Sequence, residues 1–417
     1  MTEKIEPWER AHLRELAKKQ AEYAALPLME ERARLWRAHN DIEGVRPMIY
    51  TDTTSFEKEI LPPLECATPA AKEMELELKR NVLNHERIGD DRVVSSYYAV
   101  APVTGFKYFD ITLESVHALS SSGDNTGEQF ICKIGDLGED LPRLKPSSWY
   151  YDKEGTAEKI GLASETFGDI LKVRTAPLNP KFTLTRAVVH LMGMENMCLN
   201  VLDYPDEFAE LLRRMTDDYL AYCRWLQSEG LLTLNHDICD VWPTTHGFTS
   251  QLPAPGFDGQ VRTEDLWLGM DSQETITVSP QMYGDVFFKH YRRMASHFGR
   301  LNYGCCEPVD RVWQWVATLH GLSKVSVSPW CDVHFMGEAL RGRKTIFHRK
   351  IRPNYVGVGE KFDEEGFASH IREALLAAKG CEIEFAGRDV YTLCGDQNRA
   401  GRAVEIIRAE IDRQWQG

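Results

Sequence analysis

The chain has 417 residues, 43% of them hydrophobic and 27% charged, with a formal net charge of −14. That composition belongs to a globular protein able to bury a large core, as one large α/β domain with an N-terminal extension or as two ordinary domains. It argues against nucleic acid as a partner, because phosphate binding needs a basic face. No run of about 18 apolar residues offers a membrane span.

The first 43 residues are rich in Glu, Arg, Ala and Leu with few breakers, which predicts helices. Their opening, "MTEKIEPWERAHLRELAKKQ", is charged throughout and lacks a signal-peptide core, so the expected compartment is the cytoplasm. "GVRPMIYTD" (44–52) predicts the first strand. Residues 53–160 are mixed. "DDRVVSSYYAVAP" reads as a strand, and "ALSSSGDNTGEQ" as a loop from its Ser and Gly content. From 205 the pattern sharpens. "YPDEFAELLRRMTDDYLAYCRWLQSEG" spaces Phe208, Leu211, Leu212, Met215, Tyr219, Tyr222 and Leu226 as one helical face, with Pro205 at its start and Gly230 past its end. "LLTLNHDIC" predicts a strand and its exit loop, and "SPQMYGDVFFKHYRRMASHFG" a helix. "RLNYGCC" predicts a strand, 308–321 a helix, and "SKVSVSPWCD" and "KTIFHRKIRP" further strands. A helix at "DEEGFASHIREALLAAKG", a strand at "CEIEFAGRD" and a final helix from "GDQNRAGRAVEIIRAEIDRQW" complete the chain. Strands alternating with helices imply parallel βαβ units, and the length favours a (β/α)8 barrel over 44–417 behind a helical extension over 1–43. No GxGxxG or GxxxxGK[ST] segment supports a nucleotide cofactor.

In such a barrel, functional residues gather where strand C-termini meet the following loops. "NYGCCEP" puts Cys305, Cys306 and Glu307 there. A thiolate with a carboxylate suits zinc; two small buried cysteines, with Glu307 at a helix start, are the bland alternative. Ten cysteines with no CxxC pair argue against a disulfide framework in a cytosolic chain. "LNHDICDVWPTTHG" offers His236, Asp237, Cys239, Asp240 and His246, or only a polar loop. "GMDSQETITVSP" offers Asp271, Gln273 and Glu274 for a metal, a substrate hydroxyl or helix caps. "VSVSPWCDVHF" offers Ser328, Cys331 and Asp332, with Trp330 as a stacking wall or a buried ring. "FHRKIRPN" turns His348 and Lys350 to one side and Arg349 to the other. "EFAGRDVYTLCG" brings Arg388, Asp389 and Cys394. Ligand-type or titratable residues at five strand ends favour an enzyme.

The stretches "LWRAHNDIEGVRPMIYTD", "EGLLTLN", "DSQETITVSPQMYGDVFFKHYRRMASHFGRLNYGCCEPVDRVW" and "KVSVSPWCD" resemble the uroporphyrinogen decarboxylase-like superfamily, in its branch of corrinoid-dependent methyltransferases of the O-demethylase type. The resemblance runs from about residue 30 to the end and implies a (β/α)8 barrel. True decarboxylases carry an arginine-rich segment after the first strand; here it reads "MIYTDTTSFEKEILPP", without the cations that many carboxylates require. Zinc methyltransferases of the superfamily use a His-x-Cys pair on a late strand plus a distant cysteine. "LNYGCCE" is similar, but Tyr303 and Gly304 stand where the histidine would be, and Cys394 is the loose counterpart of the distant cysteine. The resemblance thus implies a zinc ion bound by Cys306, with His236 and Glu307 the next ligand candidates and Glu274 another substitute for the missing histidine, or no zinc at all. It further implies methyl transfer from a small, aromatic methyl ether to cob(I)alamin on a partner corrinoid protein. Glu274, Glu307 and Asp332 are then the catalytic candidates, and Trp330, Tyr303, His236 and Lys350 the substrate wall. A lyase, or a corrinoid- or tetrapyrrole-binding subunit without catalysis, is the alternative. A homodimer is the assembly to test.

Overall fold

The structure, a computed structural model, describes residues 5–119, 125–238, 240–242 and 244–415. Two helices open it, α1 (Pro7–Ala24) and α2 (Pro27–Asn40), each with proline in its first turn, where the missing N–H costs nothing. Glu9 closes the start of α1 by accepting from the Glu6 N–H at 3.0 Å.

Seven strands then form one parallel sheet: β1 (Met48–Thr51), β2 (Lys181–Phe182), β3 (Trp267–Met270), β4 (Arg300–Tyr303), β5 (Leu322–Val327), β6 (Ile346–Lys350) and β7 (Ile383–Gly387). Their order is β1-β7-β6-β5-β4-β3-β2, parallel at every pairing. The first strand lies beside the last, as a closed (β/α)8 barrel requires. Strands β1, β3, β4, β6 and β7 are buried along their whole length, because helices cover the outside and side chains fill the inside. Around them pack α3 (Leu184–Asp203), α4 (Pro205–Ser228), α5 (Val333–Leu340), α6 (Glu364–Ala377) and α7 (Arg399–Gln414). The main core joins Leu268, Leu301, Val325 and Phe385 of the strands to Leu211, Ile371 and Ile407 of the helices.

Between the β1 and β2 edges the wall is completed without a regular ladder. Asp91 N–H donates to Ile49 O at 2.9 Å, and Val93 N–H donates to Nε2 of His246 at 3.0 Å. His246 belongs to a small hairpin pairing Asp240–Val241 with Thr245–His246.

Three predicted elements differ. Residues 231–236 form no strand; instead the Asn235 side chain accepts from Trp267 N–H at 2.9 Å and donates to Trp267 O at 3.1 Å, so an amide replaces the ladder. The helix predicted over 308–321 shrinks to 309–316. Part of the loop expected at 118–129 is a hairpin of Ser115–Leu119 with Asn125–Phe130. Val116 is 62% exposed there, and a ladder without a buried face has no apolar alternation to betray it. Residues 52–180 also build a second core, where Leu13 and Ala17 of α1 meet Leu78, Tyr98 and Phe167.

Candidate active site at the barrel mouth

The carboxyl ends of β2 to β7 converge on a cavity of about 550 Å³, walled among others by Arg186, Trp242, Cys306, Trp330, Lys350 and Arg388. Gly304, at φ +100°, makes the turn after β4. An added Cβ there would lie 3.1 Å from the Ser326 Cβ, so the tight exit that delivers Cys305 and Cys306 needs glycine.

Cys306 Sγ accepts from Lys350 Nζ at 3.0 Å. Lys350 also donates to Asp389 Oδ2 at 2.9 Å. Cys305 Sγ lies 3.7 Å from Cys306 Sγ. Sharing that contact lowers the Cys306 thiol to about 7; burial opposes the shift and the Lys350 ammonium adds to it. Cys305 moves upward instead, through the same contact and burial. Burial works against the Lys350 charge, yet the two thiols and Asp389 hold it at about 12. At neutral pH the trio is therefore a thiol close to half ionised, an ammonium and a carboxylate in one wall.

Beneath it lies a carboxyl cluster. Glu307 is 4% exposed; it accepts from Ser272 N–H at 3.0 Å and from Cys305 N–H at 2.8 Å. Burial raises it above its ordinary value despite those two donors. Asp271 is fully buried. Its Oδ2 accepts from Arg186 at 3.0 Å, while Oδ1 has no partner among the described residues. Burial first, then the nearby Glu307, raise Asp271 to about 8. Glu274 accepts from Thr185 Oγ1 at 2.7 Å and sits 3.6 Å from Arg186 Nε. The arrangement thus offers a protonated carboxyl group, an activated thiolate and a fixed cation.

Of the other expected residues, Trp330 stands at the rim, 69% exposed, rather than buried. Tyr303 is a core residue, its hydroxyl 2.7 Å from both Ser272 Oγ and Tyr283 OH, so it braces the loop after β3 from behind the cavity wall. Asp332 caps α5, its Oδ1 accepting from His334 and Phe335 N–H. His236 has Asp237 and Arg37 of α2 as charged neighbours, not Cys306. Asp237 pairs with Arg174 at 2.8 Å, Asp240 bonds Tyr50 OH, and His246 is held between Val93 and Ile238. Cys331 is buried and Cys394 exposed; Cys239 lies outside the described residues. Asp271, Arg186 and Asp389 carry more of the site than their sequence setting suggests. The cue was a charged residue at a strand end: Asp271 stands directly after β3, and Asp389 follows Arg388 after β7.

The residues expected to hold zinc do not form a ligand set. Glu307 has both oxygens committed to backbone N–H groups, His236 is elsewhere, and the Cys306 thiolate already faces an ammonium. Among the described residues, the one group of three with ligand atoms within 4.8 Å of each other is His12, Cys66 and Glu75, at the second core. There Glu75 accepts from Lys79 and from the Glu65 and Cys66 N–H groups.

No protein-family profile and no curated protein matches the sequence. Among solved structures, a methyltransferase from Methanosarcina mazei is similar with a TM-score of 0.51 and 13% identity, covering 91% of this chain and 97% of that one. A B12-independent methionine synthase from Shewanella sp. W3-18-1 aligns over 74% of this chain and 77% of its own, at 12% identity and a TM-score of 0.34, too slight to bear on the fold. At 13% identity the first likeness establishes a shared fold along nearly the whole chain; the chemistry has to come from the site.

Proposed function

We propose that this chain is a methyltransferase that moves the methyl group of a small, aromatic methyl ether to the reduced cobalamin of a partner corrinoid protein. The observation that supports this reading is the buried Asp271–Glu307 pair, which keeps a proton at neutral pH directly behind Arg186 and Cys305 in the wall of a cavity that also has aromatic walls. Cleaving an aryl methyl ether leaves a phenolate, and a proton donor near pH 7 to 8 is what that leaving oxygen needs. Lys350 adds a fixed positive charge on the same wall, which favours the oxyanion as it develops. Arg186 holds Asp271 in place, and Glu274 with Thr185 holds Arg186. The exposed rings of Trp330 and Tyr391 and the side chain of Val358 form an apolar rim, suited to a flat macrocycle set over the mouth. When docked there, the reduced corrinoid supplies the nucleophile for the methyl carbon. The zinc site implied by the family resemblance is not part of this reading, because its ligands do not converge.

Anaerobic spectroscopy tests it. The chain, reduced cobalamin and a panel of methoxyarenes, methylamines and methanol are mixed, with and without a corrinoid protein from the same organism. Methoxyarenes should convert cob(I)alamin to methylcob(III)alamin and release the phenol. Absence of methylation by every donor, partner protein included, overturns the proposal in favour of a binding subunit.

A further inference from the structure

Cys305 and Cys306 are adjacent free thiols whose sulfurs lie 3.7 Å apart. Adjacent residues of an extended strand point to opposite faces, an arrangement that keeps neighbouring sulfurs apart. Here the left-handed turn at Gly304 ends β4 and the chain bends through 305–307, which turns both sulfurs to one side. Both residues line the larger cavity, Cys306 half-buried and Cys305 buried. A dissolved oxidant therefore meets Cys306 first and finds a second thiol behind it. Lys350 Nζ donates to Cys306 Sγ at 3.0 Å and lies 3.9 Å from Cys305 Sγ. An ammonium in that place steadies the sulfur as the anion, which is the form that attacks a peroxide. The methyl transfer proposed above draws on the proton of the Asp271–Glu307 pair and on the Lys350 charge, and leaves the two thiols without a task.

We infer that Cys305 and Cys306 are a site of reversible oxidation, closing into a vicinal disulfide under a hydroperoxide and taking the sulfur acceptor away from Lys350. The Cys306 thiolate attacks one peroxide oxygen, the O–O bond breaks, hydroxide leaves, and Cys306 becomes a sulfenic acid. The Cys305 sulfur then attacks the sulfenic sulfur; its proton departs with the hydroxyl group as water, and the S–S bond forms. Two thiols have then lost two electrons and two protons, and one hydrogen peroxide has become two waters. A dithiol reverses the step by exchange. Across a single peptide the two Cα atoms stand about 3.8 Å apart, below the roughly 4.4–6.8 Å usual for a disulfide. The ring is therefore strained, and strained disulfides are the easily reduced, regulatory ones. After closure Lys350 keeps Asp389 at 2.9 Å and faces uncharged sulfur. The Cys305 N–H that holds Glu307 at 2.8 Å is pulled with the ring. That closure silences the site rests on the methyl-transfer reading of this cavity.

Peptide mass spectrometry on the whole chain tests it. Reduced protein is exposed to hydrogen peroxide at neutral pH, free thiols are blocked with iodoacetamide, and the peptide carrying both cysteines is weighed. It should carry no block and be lighter by two hydrogens than the reduced peptide, and dithiothreitol should restore two thiols that alkylate. In Cys305→Ser the Cys306 sulfenic acid should persist and be trapped by dimedone, whereas Cys306→Ser should leave Cys305 a free thiol. Cys132→Ser, at an exposed thiol, should change nothing. Lys350→Met should slow the oxidation roughly threefold or more, since fewer thiols are ionised while each remaining thiolate is more nucleophilic. Labelling of Lys350 by acetic anhydride should rise in the oxidised wild-type chain, because the two thiols help to hold its proton. A peptide unchanged by peroxide, a sulfinic acid at Cys306 beside a free Cys305, or pairing of either with another cysteine overturns the inference. Equal labelling of Lys350 in the two states overturns it as well. Both readouts need neither methyl donor nor corrinoid. The proposed function can therefore fail while the disulfide stands, and a methyl transferase whose thiols never pair leaves that function standing without the switch.

Discussion

Cys306, after β4, meets its counter-ion Lys350 at the end of β6, two strands along the sheet. Because its thiol is lowered to about 7, alkylation by iodoacetamide should be half-maximal near that pH. Lys350→Met should move the midpoint upward and slow labelling at pH 7, read by peptide mass spectrometry; an unchanged midpoint would mean that Lys350 does not set the thiolate. Asp271 makes a second residue-scale case. Folded Asp271 releases its proton near pH 8, whereas an unfolded aspartate does so near 3.9. Between these values the folded state binds more protons, so this group's contribution to stability is full below about pH 4 and is lost as pH rises to about 8. Asp271→Asn should flatten that part of the stability–pH curve, measured by urea unfolding at pH 5 and pH 8. The same change should slow methyl transfer by roughly a hundredfold or more, the range for a lost general acid, and the wild-type rate should fall above about pH 8.

At the scale of elements, two small side chains stand in for regular structure. Asn235 caps the backbone of Trp267 where a strand ladder was expected, and Gly269 lets the hairpin lie against β3. A Cβ on Gly269 would fall 2.5 Å from the Trp242 Cβ, so the backbone of β3 and the base of Trp242 touch directly. Gly269→Ala should therefore cost about 1–3 kcal/mol from overpacking and displace Trp242. Intrinsic fluorescence of Gly269→Ala against Trp242→Phe separates the local shift from global loss. Asn235→Ala should cost about 1–3 kcal/mol by leaving the Trp267 amide and carbonyl unpaired; urea unfolding with an undiminished midpoint would refute the role assigned to it. Neither dependence was readable from sequence. An Asn in an apolar run looks like a strand residue until its partner across space is known.

For the whole molecule, a buried charge helps tie the N-terminal helices to the barrel. Glu384 of β7 accepts from Lys324 of β5 at 2.6 Å and lies 3.0 Å from His39 Nε2 of α2, with His348 of β6 on its other oxygen. Burial raises Glu384, but Lys324, His348 and His39 carry it well below the carboxylate range. Glu384→Gln strands the Lys324 charge inside the barrel and should cost about 3–5 kcal/mol, seen as a lower urea midpoint. Much of this architecture was determined by the sequence itself: the two opening helices, the alternation of strand and helix from 205 onward, the parallel barrel, and the placing of Cys306, Glu307 and Lys350 at strand ends. These follow from periodicity and from proline and glycine at boundaries, which are local properties of the chain. The tertiary structure alone decided which charges meet. It set Asp332 as a helix cap, Tyr303 in the core and His236 on the α2 side, and it brought Asp271 to Arg186, Lys350 to Cys306 and Arg388, Lys181 and Arg186 to Trp242. Those pairings join residues 44 to 146 positions apart, and side-chain charge interacts through space over a few ångströms, so only the folded chain can say which of them become a site.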